Sequence, residues 1–540
     1  MKNGLLIFVF LFGLINIAVT QTVEWVVTAG GSTYGDIVYD IAVDANGNTY
    51  ITGVFEETAI FGDITLTALS DDDSDIFIAK LDAQGNFLWA KRAGAMYYDD
   101  RGQAIEVDAD GNCYVTGYFW DTADFGDITL TSVGGEDTFV AKLNTDGDFI
   151  WAVNAGGQDS YYHYAKPQGI AIDGAGNTYI TGFFNQEISF GDITLTTTSN
   201  QFDAFIAKLD AEGNFVWVKQ SAGNQVENGR AIATDGLGNV YVSGYYRETC
   251  TFGNLTVEAN GEWDIYIVKL DTNGNFAWLK TGGGNTTESI GGLDVDSQGN
   301  AYIVGHFEDA INFGSLNMTA SGNSDVFIAK LNSSGDYLWC KQTQSTDDEY
   351  CYAVAVNNNG EAYLAGRFIG TTTFGSFTLE PAEVGAGSFF TKMDSDGNFL
   401  WVKKATADSF GPENGIAIDN QGNSYYSGTI TGSYLFYDIE PVESTGNGKE
   451  IFVMKMTSEP VSVDNYDEVN QVSIYPNPAN HLLNIQTTET IKAITIYNAL
   501  GALVQTETRS SFSIEQLPAG IYNVHISTAK GESVEKLIVR

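Results

Sequence analysis

The chain is predicted to be all-β: a seven-bladed β-propeller closed by its N-terminal strand, followed by a small β-sandwich. Three series of residues predict it. Tyrosines in the pattern G-N-x-Y, with G-E-A-Y in the sixth copy, stand at Tyr50, Tyr114, Tyr179, Tyr241, Tyr302, Tyr363 and Tyr425. Phenylalanines, usually followed by glycine, stand at Phe61, Phe125, Phe190, Phe252, Phe313, Phe374 and Phe436, 61 to 65 residues apart. Lysines in strand-like runs stand at Lys80, Lys142, Lys208, Lys269, Lys330, Lys392 and Lys455. A fixed period repeated seven times sets the architecture before any single motif is read.

Within the third copy, Gly169 to Asp173 reads as a first strand, turned by Gly176-Asn177. Thr178 to Phe183, Ala204 to Leu209 and Phe215 to Lys219 read as the second, third and fourth. Alternating apolar residues, β-branched and aromatic enrichment, and Gly/Asn/Asp turns favour strands over helix. The extra segment ISFGDITLTTT between the second and third strands reads as a small hairpin over Gly191-Asp192.

Tryptophans predict how the ring closes. Trp89, Trp151, Trp217, Trp278, Trp339 and Trp401 follow six of the lysines, whereas none follows Lys455. Trp25, in EWVVTAGG, matches the missing fourth strand and its following loop. The N-terminal segment is therefore expected to complete the last blade, which removes an open sheet edge. The carried residues G-N-x-Y-[IV]-[TS]-G, F-G, D-x-F-[IV]-A-K-L and G-N-F-x-W-x-K resemble the bacterial β-propeller repeat family related to NHL-like propellers, of the SBBP type. The resemblance covers Val23 to Met456 and implies the fold; function does not follow, because propellers host enzymes, binders and scaffolds alike.

Residues 1–20 hold one basic residue, Lys2, and an apolar run from Leu5 to Val19 before Thr20-Gln21, which reads as a cleaved signal peptide. The run is short for a membrane span, so no transmembrane anchor is expected after cleavage. Residues 21–457 form the expected propeller. Lys+Arg 26 against Asp+Glu 69 gives a net charge of −43. Lysines at repeat positions account for much of the positive charge, leaving acidic loops unsuited to nucleic acid or anionic membranes. Cations, basic proteins and neutral glycans remain as partners. The repeated lysine is expected to pair with acids that open the third strand: Asp75, Asp137, Asp203, Asp264 and Asp325. Cys113, Cys250, Cys340 and Cys351 have no metal-ligand spacing; Cys340 and Cys351 could meet between blades, with buried free thiols the favoured state.

Residues 458–471, SEPVSVDNYDEVNQ, read as an acidic linker. Residues 472–540 alternate as short strands broken by Pro and Gly, which fits a small sandwich. Tyr475-Pro476-Asn477-Pro478, Asn484, Gly501, the block Leu517 to Tyr522 containing Gly520, and the tail Lys536 to Arg540 resemble the type A C-terminal sorting domain of the type IX secretion system of Bacteroidetes-like bacteria. The resemblance implies handling by that machinery, cleavage in the linker, and release or attachment at the outer cell surface.

The D-x-x-G-N turns, such as Asp44 to Asn48, suggest Ca²⁺, the one cofactor the sequence raises. They lack the ligand spacing of an EF-hand, and an aspartate capping its own turn explains them. Asp82 to Trp89 resembles the tryptophan-docking motif of quinoproteins and the Asp-box of sialidases, but departs from both in spacing. Only Arg92, Arg101, Arg230, Arg247 and Arg367 lie in the propeller, too few for a sialidase arginine cluster. No catalytic constellation can be assembled, so no enzyme is expected. The loops from fourth to first strand differ in every copy and emerge at one end. They offer Tyr97, Tyr98, Asp99 and Asp100; Tyr161, Tyr162 and Tyr164; and Asp347, Asp348, Glu349 and Tyr350 as a binding rim for a glycan or protein. A channel-centred enzyme, quinoprotein-like or glycan-active, and a purely structural surface protein are the competing readings.

Overall fold

The computed structural model describes residues 19–540 apart from 32–34, 71–72, 158–162, 198, 200, 381–386, 437–441, 444–448, 461–472, 488–489, 499–502 and 529–531. At 19–20, 406–414, 432–436, 442–443, 458–460 and 532–534 it describes the backbone alone. The predicted signal peptide and linker thus fall outside the described residues almost entirely. Every described element is a β-strand, every ladder whose register is described is antiparallel, and the fold is propeller-like. No helix long and apolar enough to cross a membrane occurs among the described residues.

One compact unit spans Gln21–Ser458. Its first copy is a meander of Ile37–Val43, Thr49–Glu56, Ser74–Leu81 and Phe87–Ala93, paired in that order. The same order recurs through the sixth copy. The sixth copy's sheet continues through its long last strand, Phe399–Ile418, so that Ser424–Phe436, Glu450–Pro460 and Val19–Ala29 follow as successive neighbours. The inserted hairpin forms as the turn over Gly191-Asp192 requires, pairing Glu187–Phe190 with Ile193–Thr196. Each such hairpin leans on the end of the preceding copy's fourth strand: Gly94 bridges Asp124, and Ala155 pairs with Phe190. Gly30, from the N-terminal strand, bridges Ile60 in the same way.

Both faces of each third strand are buried. Ile76 and Ile78 enter a cluster with Ile105, Val115 and Phe139 of the next copy, while Phe77, Ala79 and Leu81 pack with Tyr425, Ile451 and Val453. The period of two thus delivers alternate residues to opposite neighbours.

The repeated aromatic residues seal the joints between copies. Trp89, Trp151, Trp278 and Trp339 each donate their indole N–H to a carbonyl in the turn between the next copy's third and fourth strands at 3.0–3.2 Å. Trp25 does the same to the Ala83 carbonyl at 3.0 Å. A glycine in that turn lets the indole lie flat on the backbone: a Cβ on Gly147 would press into Trp89, and one on Gly85 into Trp25. Tyr50, Tyr241 and Tyr302 reach across similarly, donating to Gly111, Gly299 and Gly360 carbonyls at 2.9–3.1 Å.

The lysine partner differs from expectation. All seven lysines sit over the second-strand tyrosine of their own copy, 4.7–5.7 Å from the ring centroid. Lys142 and Lys269 pair with Asp108 and Asp235 of the first turn, Lys392 with Glu361, and Lys455 with Glu24. The acids opening the third strand cannot serve, because five residues of extended chain put them about 16 Å away. They act at the other end instead: Asp75 pairs with Arg92 at 3.1 Å, and Asp137 accepts from Asn154 at 3.1 Å. The four cysteines are free, and burial pushes the thiols of Cys113 and Cys340 up to about 12.

In residues 473–540, Ser473–Tyr475, Leu482–Gln486 and Ser511–Ser513 make one sheet. Leu503–Glu507, Ile491–Asn498, Gly520–Thr528 and Glu532–Val539 make a second. Leu483, Ile485 and Phe512 of the first share a core with Ile494, Val524 and Leu537 of the second, as a small sandwich requires. Within it, Asn477 accepts from the Ile538 amide at 2.9 Å and donates to the Lys536 carbonyl. The Tyr522 hydroxyl donates to the Pro518 carbonyl at 2.6 Å. The Y-P-N-P turn and the basic-apolar tail, distant in sequence, are therefore one construction.

Candidate functional site: a bulged channel mouth

The glycine that ends G-N-x-Y-x-x-G sets up the site. A Cβ on Gly53, Gly117, Gly182, Gly244, Gly305 or Gly366 would strike a carbonyl of the adjacent first strand. Opposite each of these glycines the first strand carries a β-bulge, where the register skips Tyr39, Gln103, Gln168, Arg230, Gly291 and Tyr352. Bulges re-aim side chains, and they do so here. All six bulged residues line one cavity of about 190 Å³, together with Gly415. The cavity lies toward the end where the first strands begin, at the variable-loop end. A second cavity of about 370 Å³ lies toward the D-x-x-G-N turns and is lined by residues of the same strands.

Cations and aromatic rings alternate around the mouth. The Arg101 guanidinium lies 4.4 Å over the Tyr39 ring and 5.6 Å from Tyr118. Lys166 covers Tyr118 at 4.4 Å and pairs with Glu136 at 2.7 Å. Arg230 donates to Gln168 at 2.7 Å. His306 meets Tyr350 edge-on at 4.7 Å, and Tyr350 stacks on Tyr352 at 6.2 Å. Burial pushes the His306 imidazole down to about 4, so it is neutral.

Beside the mouth is a cavity of about 500 Å³ walled by Phe183, Phe202, Tyr245 and Trp263, with Asn228 and Ser289 at its polar edge. Asn228 donates to the Tyr245 hydroxyl at 2.9 Å, and Arg247 lies 5.7 Å over the Trp263 ring. Rings with a few oriented polar groups make a surface suited to the faces and hydroxyls of sugars.

Three carboxyls line the second cavity: Asp40, Glu106 and Asp294. Burial pushes Asp40 and Glu106 up to about 7, and Asp294 up to about 6. Asp40 accepts from the Ile41 and Ile105 amides, both at 2.9 Å.

The predicted rim divides. Tyr97 and Tyr98 are exposed, and Tyr98 stacks on Trp120 at 4.9 Å. Asp99 accepts from the Ser74 amide and hydroxyl. Asp100 is fully buried, accepting from the Ala95 and Trp120 amides. Glu349 is also fully buried, holding Thr343 and Thr372 at 2.9 and 3.1 Å. These two pin their loops and present nothing outward. Tyr164 and Tyr350 are half-buried near the mouth; the Asp347 amide donates to the Ser345 hydroxyl at 3.1 Å, and Asp348 accepts from the Ile369 amide through its carbonyl. Tyr161 and Tyr162 lie outside the described residues. In the first turns Asp44 accepts from the Asn46 and Asn48 amides at 2.9 Å and the Asn48 side chain at 2.7 Å, the pattern of a self-capped turn.

Sequence reasoning missed the bulged residues, the arginines beside them, and Trp120 and Trp263. A signal for the last two existed: of nine tryptophans, these alone fall off the repeat register.

Comparison with known proteins agrees with the reading of the C-terminal unit. Residues 473–540 match the family described as Secretion system C-terminal sorting domain. This domain marks export by type IX secretion to the cell surface or beyond. The chain is 26% identical over 419 residues to an uncharacterized WD repeat-containing protein of Acanthamoeba polyphaga mimivirus, covering 61% of this chain and 29% of that protein. A regulatory protein of Caulobacter vibrioides is 27% identical over 218 residues, covering 39% of this chain and 22% of that protein. The chain thus spans less than a third of either relative. Among solved structures, a polysaccharide lyase (an ulvan lyase with bound oligosaccharide) aligns at 12% identity and TM-score 0.39, over 78% of this chain and 97% of that one.

Proposed function

We propose that Gln21–Ser458 is a seven-bladed propeller, closed by its N-terminal strand, that serves as an exported glycan-binding scaffold with no chemistry of its own. Closure is supported by three relations that repeat across it: Trp25 to the Ala83 turn, Gly30 to Ile60, and Lys455 to the Ala83 carbonyl at 3.4 Å. The binding role rests on one observation: bulges aim Tyr39, Gln103, Gln168, Arg230 and Tyr352 into a shared mouth flanked by an aromatic groove. A bulge forfeits ladder pairing, and six of them aimed at one cavity favour a ligand over loop drift. The test is a glycan and protein array probed with the chain lacking residues 1–20. Defined oligosaccharides should bind, and Trp263→Ala with Tyr245→Ala should weaken them at least tenfold. Binding to no glycan, or binding unchanged in the double variant, rejects the reading.

The channel carboxyls favour a second reading, a glycan-active enzyme. Groups titrating near 7 suit general acid–base catalysis. Breakdown of a bound oligosaccharide, abolished by Glu106→Gln, would replace the first reading with this one.

A further inference from the structure

We infer that the edge of the mouth recognises an anionic sugar, one carrying a carboxylate or sulfate ester, through Arg101, which covers the mouth-lining Tyr39, and Arg367, whose ladder partner Tyr350 stacks on the mouth-lining Tyr352; this rests on the glycan-binding reading and specifies its ligand. The net charge of −43 argues the other way, toward cations or neutral sugars, but charge is not spread evenly. The seven repeat lysines are committed to second-strand tyrosines near the D-x-x-G-N turns. All five arginines of the repeat unit stand at the opposite end: Arg92 pairs there with Asp75, Arg101 and Arg230 lie on first strands, and Arg247 and Arg367 at or just past the ends of second strands.

Acids near Arg101 are already engaged, whereas Asp348 and Glu308 stand near Tyr350 beside Arg367. Glu136 pairs with Lys166, Asp40 and Asp100 take backbone amides, and Asp99 takes Ser74. Arg101 and Arg367 have no ion pair among the described residues, and the buried Nε of Arg367 has no hydrogen-bond partner. A guanidinium lying on tyrosine rings, as Arg101 does, keeps its N–H edge free for bidentate contact with a planar carboxylate or a sulfate. Long-range repulsion from this chain opposes polyanions, so retention of one requires a local site.

The test compares two matched pairs of probes by calorimetry on the chain lacking residues 1–20. Oligogalacturonate is set against its methyl ester, and a sulfated galactan oligomer against its desulfated form. At least one charged member should bind tenfold or more tightly than its neutral partner, and which pair responds separates carboxylate from sulfate. In Arg101→Gln and in Arg367→Gln, each checked for an unchanged melting profile, that ratio should fall toward one. Arg101→Lys, which keeps the charge but loses the fork, should give an intermediate ratio. Equal binding of charged and neutral members, or a ratio indifferent to both Gln variants, overturns the anionic assignment while leaving glycan binding intact. Failure of all four probes together with a glycan array on which only neutral sugars bind overturns it too; an array with no binding removes the underlying reading.

Discussion

Glu227, Glu288 and Glu349 each open a first strand, 14 residues before the repeat tyrosine, where Asp36 and Asp100 stand in earlier copies. All three glutamates are buried, which pushes Glu227 and Glu288 up to about 8 and Glu349 up to about 7. For Glu227 burial is the largest cause; Asp203 adds to it and the Ser221 hydroxyl relieves it in part. Unfolded, each would titrate at the ordinary glutamate value of 4.5. Between that value and its folded value the native state holds more protons than the unfolded chain, so stability is full below pH 4.5 and is lost as pH rises toward 8. Melting temperature should therefore fall from pH 5.5 to 8.5, and Glu227→Gln should flatten that decline by on the order of a few kcal/mol at the alkaline end. A decline as steep in the variant as in the parent would show that this carboxyl is not the cause. The same position carries a lesson about legibility. An acid recurring at a fixed offset in five copies is a repeat residue, and that periodicity marks Asp100 and Glu349 as structural although they sit inside variable loops.

At the scale of elements, what repeats is legible and what varies is not. Strands, turns, the inserted hairpin and the tryptophan clamp follow from residues that recur seven or six times, because each copy must solve the same packing problem. The mouth is invisible for the converse reason. Tyr39, Gln103, Gln168, Arg230, Gly291 and Tyr352 share a position but no chemistry, and only the bulge opposite the repeat glycine reveals that they converge. Strand Val19–Ala29 gives a prediction at this scale. Trp25 packs edge-on to Tyr425 at 6.2 Å, as Trp89 does to Tyr50 at 6.2 Å, and each lies on a turn glycine of the following copy. If the N-terminal strand is the fourth strand of the last blade, Trp25→Ala and Trp89→Ala should cost comparable stability, about 3 kcal/mol each by denaturant unfolding. Removal of residues 22–28 should cost more, since it also bares the edge of Glu450–Pro460. A truncated protein that unfolds like the parent would refute the closure.

At the scale of the whole molecule, two units answer to different demands. In the repeat unit constancy serves packing and variation is confined to one end. In residues 473–540 the recurring feature is a device that ties the Y-P-N-P turn to the last strand: Asn477 brackets the Lys536 carbonyl and the Ile538 amide, and Ala479 bonds the backbone of Ile538 and Arg540. These contacts hold the exposed Lys536 side chain on a fixed strand, so its placement depends on a turn nearly 60 residues away. Two variants separate address from scaffold. In a host with type IX secretion, deletion of 473–540 should leave the repeat unit in the periplasm, with surface and medium signal reduced at least tenfold. Asn477→Ala keeps every charged and aromatic residue of the motif but removes both hydrogen bonds, each worth about 1 kcal/mol. It should reduce export several-fold without altering glycan binding by the repeat unit. Fractionation and surface immunolabelling check both. Normal surface display of the deletion variant would show that this segment is no address. Normal export of Asn477→Ala, with the deletion still blocked, would show that the motif is read directly rather than through the strand it anchors.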